Sequence, residues 1–285
     1  MENIPQKTYH THISARHNML DLNLKEVWQY RDLIVLFTKR SFSLLYKQTI
    51  LGPAWVFLNP LISSLVYAFV FGGIAGIGTE GVPTVLFYLC SNAIWIFFST
   101  FVTQNATAFT SNAAVFGKVY FPRLTIPISN VISSVIQFGV QMILVIGVLV
   151  YYVMRGEVSP HWEMWPLIPV MLLHLGVLGL GVGIIISSLT TKYRDLAILV
   201  TFGVQLWMYI TPIVYPLSQL ADSALKPVLL LNPATAPTEM LRYAILGQGT
   251  IMPGYMALSV AVTVAVMLFG TMIFNKVEKT FMDTV

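Results

Sequence analysis

Few side chains in this sequence can carry chemistry, and their spacing excludes most of what such groups do. The single Gly-Lys pair, Gly117-Lys118, lacks the upstream glycine and the following Ser/Thr with which a P-loop cradles nucleotide phosphates, so the chain is not expected to hydrolyse ATP itself. His10, His12 and His17 lie in a polar stretch, where the His10/His12 spacing alone is a weak metal pattern. No local run arranges Ser, His and Asp as nucleophile, base and orienter. The lone cysteine, Cys90, excludes an intramolecular disulfide and a cysteine-based zinc site. Two constellations remain. Val115, Phe116, Lys118, Tyr120, Phe121, Pro122 and Arg123 set aromatics beside cations, the types enriched in protein–protein anchors. The same residues also suit an aromatic belt packed under headgroups. Glu239 and Arg242, three apart, pair on one helix face, as a structural salt bridge or as a substrate contact.

These residues belong to a chain of 285 residues that is 56% hydrophobic and 10% charged, with mean hydropathy +0.75. Soluble domains carry about 25% charged residues, and disordered chains combine low hydrophobicity with high charge. The composition therefore specifies an integral membrane protein. Apolar windows fall at 54–75, 83–104, 126–153, 166–189, 196–214 and 254–274, each near the ~20 residues that cross a bilayer as a helix. The expected fold is all-α with six transmembrane helices. None of the windows contains Asp, Glu, Lys or Arg, which disfavours coupling to ions or protons through a buried charge. His174, at depth, reads as a hydrogen-bonded packing residue rather than a relay. Gly179 and Gly183 form a small-xxx-small pair that serves packing within one subunit or an interface between two. All but Arg155, Lys226 and Arg242 of the 16 Lys/Arg lie on one side of this arrangement. The positive-inside rule makes that side, with both termini, cytoplasmic.

The segments between and before the spans must position the two constellations. Residues 1–21 form a polar tail without the apolar run of a signal peptide. Over 22–52, Lys25, Gln29, Asp32, Leu36, Lys39, Ser43 and Lys47 step by three or four residues, a polar stripe with one apolar exception, Leu36, beside a wide apolar face. Such a helix lies in the headgroup plane, with Arg40 and Lys47 on the basic edge near lipid phosphates, or packs as a soluble helix on another domain. Gly52-Pro53 ends it. Residues 106–116 can form a short helix ahead of the aromatic loop. The run Gly72 to Gly78 reads as a flexible turn. Prolines divide residues 215–253 into apolar pieces too short to span, expected as re-entrant half-helices, with Pro237 in a first helical turn and Gly247 just past a helix end.

The stretch from Tyr46 to Trp55, the loop Lys118-Val119-Tyr120-Phe121-Pro122-Arg123 and the turn Tyr193-Arg194-Asp195 resemble the membrane subunit of polysaccharide ABC exporters, the type-2 export permease family, from about Leu24 to Lys279. The resemblance implies export of lipid-linked O-antigen, capsule or teichoic acid precursor across a bacterial inner membrane. It implies two copies of the permease paired with two copies of a separate ATPase that binds ATP and Mg, with no cofactor in this chain and no nucleic acid partner. In its terms 22–52 is an interface helix, 53–275 the six-span domain and 276–285 a cytoplasmic tail. Residues 106–123 become a coupling helix seated on the ATPase, and 215–253 a re-entrant gate that includes Glu239 and Arg242. Trp207, Tyr209 and Tyr215 are candidates to line a sugar path, or are belt residues. Arg40 and Lys47 are candidates to meet the pyrophosphate of a lipid carrier. A drug- or lipid-exporting permease would share the span count but not the Lys118–Arg123 loop. An ion-coupled carrier is opposed by the uncharged spans, and an intramembrane transferase has only His174 and Glu239 to build on.

Overall fold

The computed structural model describes residues 24–47, 51–116, 118–190, 193, 195–220 and 223–284. The expectations for the tail 1–21 and its histidines, for Gly117 and for Arg194 lie outside the described residues. Among the described residues every regular element is helical. The N-terminal amphipathic segment is two helices, α1 (Leu24–Gln29) and α2 (Arg31–Tyr46), with a break at Tyr30. Then come α3 (Trp55–Tyr67), α4 (Thr84–Ala106), α5 (Ala108–Ser111), α6 (Ala113–Phe116), α7 (Thr125–Met154), α8 (Ile168–Thr190), α9 (Leu196–Ile210), α10 (Lys226–Leu231), α11 (Thr235–Leu246) and α12 (Pro253–Thr284). Among the described residues, five helices are long and apolar enough to cross a membrane: Trp55–Ile74, Thr84–Ala106, Thr125–Met154, Trp162–Thr190 and Pro253–Asn275. The expected fifth span is shorter. α9 holds 15 residues, about 22 Å at ~1.5 Å per residue, against a hydrocarbon core of about 30 Å. At the other extreme, α12 continues without interruption to Thr284.

Glycines mark one departure from simple helix and the closest helix contacts. α3 widens over Ala68–Ile74 into a π-helical end, so Gly72 and Gly73 extend the span and the turn begins only after them. A Cβ on Gly72 would stand 2.5 Å from Thr84 Cγ2, so only glycine lets this widened end lie against the start of α4. On α8, a Cβ on Gly183 would stand 2.6 Å from Asn105 Cβ, and one on Gly179 3.1 Å from Phe101 Cβ. Gly181 faces α12, where a Cβ would meet the Met267 backbone at 3.2 Å. The small-xxx-small pair thus serves contacts within this subunit. Lipid is as apolar as these side chains, so close packing rather than escape from water joins the helices.

α4 is the hub. It is buried along nearly its whole length and packs on α3, α7, α8 and α9. Its aromatic side chains interlock with two of these neighbours: Phe97 with Phe138 of α7 at 5.1 Å, and Phe98 edge-on to Trp207 of α9 at 5.2 Å. Polar pairs fix its register. Asn92 donates to Ser63 and Ser64 of α3 at 2.8 and 3.1 Å, and Asn130 of α7 reaches the Gln104 carbonyl at 3.3 Å. His174 of α8 hydrogen-bonds Thr263 and Ser259 of α12 at 3.0 and 3.1 Å, as a packing residue does.

Candidate functional site

At one end of the bundle, α1 and α2 lie against α7 and the loop that leads into it. Val27, Ile34 and Phe37 point inward and form a cluster with Phe116, Phe121, Leu124, Ile126, Ile184 and Phe274. The polar stripe faces out: Lys25, Gln29, Asp32, Lys39, Ser43 and Lys47 are exposed, as is Arg40. Trp28 and Leu44 of the same segment are also exposed, at 68% and 66%. The expected coupling segment is two short helices, α5 and α6, followed by a turn that divides its aromatics by role. Phe116 and Phe121 stack at 5.2 Å, and Phe121 packs on Phe37 of α2 at 5.7 Å, so both rings are an internal wedge. Lys118, Val119 and Tyr120 project beyond that wedge, Tyr120 at 77% exposure. Val115, Pro122 and Arg123 are half-buried around the base. Two aromatics thus hold the corner to the helix behind it, and one is presented outward.

At the opposite end, α10 and α11 fold back on the ends of the long helices. Pro237 stands in the first turn of α11, and Gly247 closes it at φ +75°, in the left-handed region where a side chain would be strained. Glu239 and Arg242 are ion-paired and almost wholly buried, 1% and 0% exposed. Arg242 also donates through Nη1 to the Pro212 carbonyl at 2.8 Å and lies over the Phe87 ring at 4.7 Å. Glu239 accepts the Thr250 amide at 3.1 Å. Burial pushes the Glu239 carboxyl above the usual carboxylate range, while the Arg242 guanidinium and the Thr250 amide pull it back. The pair therefore ties α11 to the break after α9, to α4 and to the loop before α12. The ion pair expected from the three-residue spacing is present.

Asn232, which the sequence reading passed over, is the second tie. Its Oδ1 accepts Trp207 Nε1 at 3.0 Å, and its Nδ2 donates to Thr211 Oγ1 at 2.9 Å and to the Ile210 carbonyl at 3.3 Å. The Asn232-Pro233 dipeptide marks a turn in the sequence, but nothing local indicates that its amide would clamp the end of a helix some twenty residues earlier. Trp207 is thereby half-buried against Phe98, and the Tyr215 hydroxyl donates to the Tyr209 carbonyl at 2.8 Å. Burial, with the Glu239 carboxylate adding, pushes the Tyr215 phenol up to about 12, which keeps it a donor. Of the three aromatics, Tyr209 leaves its ring most open, at 51% exposure. His161 stacks on Tyr243 at 4.0 Å, and Trp165 donates to the Ala244 carbonyl at 3.2 Å, closing the C-terminal turn of α11.

Between the two ends, α3 and α9 turn outward large apolar side chains such as Phe69, Ile198 and Phe202, at 68%, 76% and 58% exposure. Asn59, Thr201 and Gln205 are exposed among them. Amides open to hydrocarbon are costly without a partner.

A family model described as ABC-2 type transporter matches residues 32–246. The chain is 27% identical over 253 residues to an O-antigen export system permease protein, RfbA, of Klebsiella pneumoniae, covering 88% of this chain and 94% of that one. It is 29% identical over 214 residues to the O-antigen export system permease protein RfbA of Myxococcus xanthus, covering 74% and 78%.

Proposed function

The chain belongs to the ABC-2 type transporter family, and from that premise we propose that it is the membrane permease of an ATP-driven exporter of O-antigen-like, lipid-linked polysaccharide. The observation that carries the proposal is the likeness to O-antigen export permeases over most of the chain. The uncharged apolar windows agree with it. With no Asp, Glu, Lys or Arg in the six apolar windows to couple to an ion gradient, the energy enters from outside the bilayer, through a separate ATPase that binds ATP and Mg. This chain is then a transport subunit of a bacterial inner membrane, crossing it six times with both termini cytoplasmic. α9 completes its short crossing through the chain after Ile210, which is packed within protein.

The geometry suggests how the parts divide the work. Two copies pair across the face of α3 and α9, where Asn59 and Gln205 find partners in the second copy or in the hydrated path between the copies. Each ATPase seats on the tip formed by Lys118, Val119 and Tyr120. The stacked Phe116 and Phe121 beneath it, wedged on Phe37, make the tip stiff enough to transmit a push to α2 and α7. Val115, Pro122 and Arg123 frame that seat. Tyr209 offers its ring to passing sugars, with Trp207 and Tyr215 supporting the wall behind it. α10 and α11, held by Glu239 and Arg242, act as the outer re-entrant gate. Arg40 and Lys47 meet the pyrophosphate of the lipid carrier at the cytoplasmic surface.

Deletion and complementation test the reading. Loss of the permease is expected to remove surface polysaccharide and to accumulate lipid-linked polymer inside the cell, with both reversed by the intact gene. Normal surface glycan without accumulation would sink the proposal. In the same assay, unchanged export by both Lys47→Ala and Lys47→Glu would remove the pyrophosphate contact.

A further inference from the structure

The seam between α4 and α7 holds polar atoms without partners inside the membrane span. On α7, Ser134, Gln137 and Gln141 recur at steps of three and four residues, a row on one side of the helix, with Ser133 beside it. Ser133 Oγ, Ser134 Oγ, Gln137 Nε2 and Gln141 Oε1 are buried without a hydrogen-bond partner, and so is Gln104 Oε1 on α4. Ser134 is 1% exposed and Gln141 5%. Ser134, Gln137, Gln141 and Thr100 line a narrow groove walled by Phe97 and Phe138. The row is continuous with Asn130, and Gln141 stands about 24 Å along the helix from Thr125, at ~1.5 Å per residue. It therefore reaches from the end that carries α2 deep into the span.

Buried polar groups are nearly always paired, and in hydrocarbon no solvent is at hand to satisfy those that are not. A row of unpaired atoms on one groove therefore marks a conformation in which a partner is missing. The lining defines that partner. The unpaired Gln137 N–H requires an acceptor, the unpaired Gln141 carbonyl requires a donor, and the Ser134 hydroxyl takes either role. No lining residue is charged, so neither an anion nor a metal ion is matched. The complement is a neutral group that both donates and accepts, which is a hydroxyl. The aromatic walls suit the C–H faces of a sugar ring better than they suit bulk water.

We propose that the α4–α7 seam is a sugar-binding groove, closed in this conformation, that opens during transport and pairs its amides and hydroxyls with hydroxyl groups of the glycan. This rests on the export reading above and adds to it a second contact, inside each subunit and away from the α3–α9 face.

The test uses the complete transporter in a permease-deleted strain. Intact chain must first restore surface glycan; if it does not, the export reading fails and the groove is not the cause. Given restoration, Gln137→Leu and Gln141→Leu are each expected to slow export about fivefold, the effect of one lost hydrogen bond to a passing ligand. The thermal stability of the purified complex should be unchanged or higher, because the replaced groups have no partner to lose. The second arm uses the fact that the one native cysteine, Cys90, is fully buried. Gln137→Cys is treated with a water-soluble maleimide in inverted membrane vesicles made from cells that do or do not synthesise the lipid-linked glycan. Protection of the thiol in the glycan-containing vesicles supports the proposal. Equal labelling in both, which describes a groove that holds only water, overturns it, as does no labelling in either. Wild-type export by both leucine variants also overturns it.

Discussion

Arg242 is fully buried and among the largest side chains so enclosed, and it joins three separate parts of the chain. A guanidinium in such surroundings survives because Glu239, the Pro212 carbonyl and the Phe87 ring replace the water it has lost. Removing one partner of a buried pair leaves the other charge uncompensated, at a cost of about 3–5 kcal/mol. Arg242→Met is therefore expected to lower the thermal unfolding midpoint of the purified complex steeply. Glu239→Leu combined with Arg242→Met should recover part of that loss, because no orphan charge remains. If Arg242→Met is as stable as the parent chain, the pair does not hold the outer end together. At this scale the sequence was informative: the three-residue spacing revealed the ion pair. It was silent on Pro212, Phe87 and Thr250, because long-range partners leave no local pattern.

Among the elements, α8 shows how glycine sets the distance between helices. Gly183 approaches α4 so closely that a Cβ would sit 2.6 Å from Asn105 Cβ and 3.2 Å from the Val102 carbonyl oxygen, atoms that cannot swing aside. Gly183→Val should force α4 and α8 apart and destabilise the bundle by about 1–3 kcal/mol, measured as a loss in thermal denaturation in detergent. Gly203 of α9 has nothing within 4 Å of its would-be Cβ, so Gly203→Ala should be tolerated, with up to about 1 kcal/mol of helix propensity gained. A loss in Gly203→Ala as large as that in Gly183→Val would mean that close contact does not distinguish the two glycines, since helix propensity alone favours both substitutions. The amphipathic segment makes the same distinction between pattern and packing. Its stripe of Lys25, Gln29, Asp32, Lys39, Ser43 and Lys47 was readable and is exposed. The break at Tyr30, and the choice of Phe37 as the side chain that seats Phe121, were not, because they depend on the loop that returns eighty residues later.

For the molecule as a whole, the exposed polar side chains of α3 and α9 are the basis of the proposed pairing of two copies. Under the proposed pairing, Gln205 of one copy approaches the second copy. Gln205→Cys is then expected to form disulfide-linked dimers in oxidised membranes, whereas Leu173→Cys, exposed on α8, should not. Dimers from Leu173→Cys alone would move the interface to the other side of the bundle.

The sequence by itself determined the solvent and the class. A 10% charged, 56% hydrophobic composition and six uncharged apolar windows leave a helical membrane protein, since in hydrocarbon each backbone group must be satisfied within its own helix. It also located the amphipathic segment, the aromatic loop and the proline-broken stretch, because periodicity and chain breakers are local signals. Tertiary structure alone decided what each of them does. It turned Phe116 and Phe121 into a wedge and left Tyr120 exposed, tied Trp207 to Asn232, and shortened the fifth apolar window to a 15-residue helix. It also lined the α4–α7 seam with amides that have no partner. These outcomes depend on which residues meet across the bundle, and a pattern along one helix records which faces are polar but not what each face will meet.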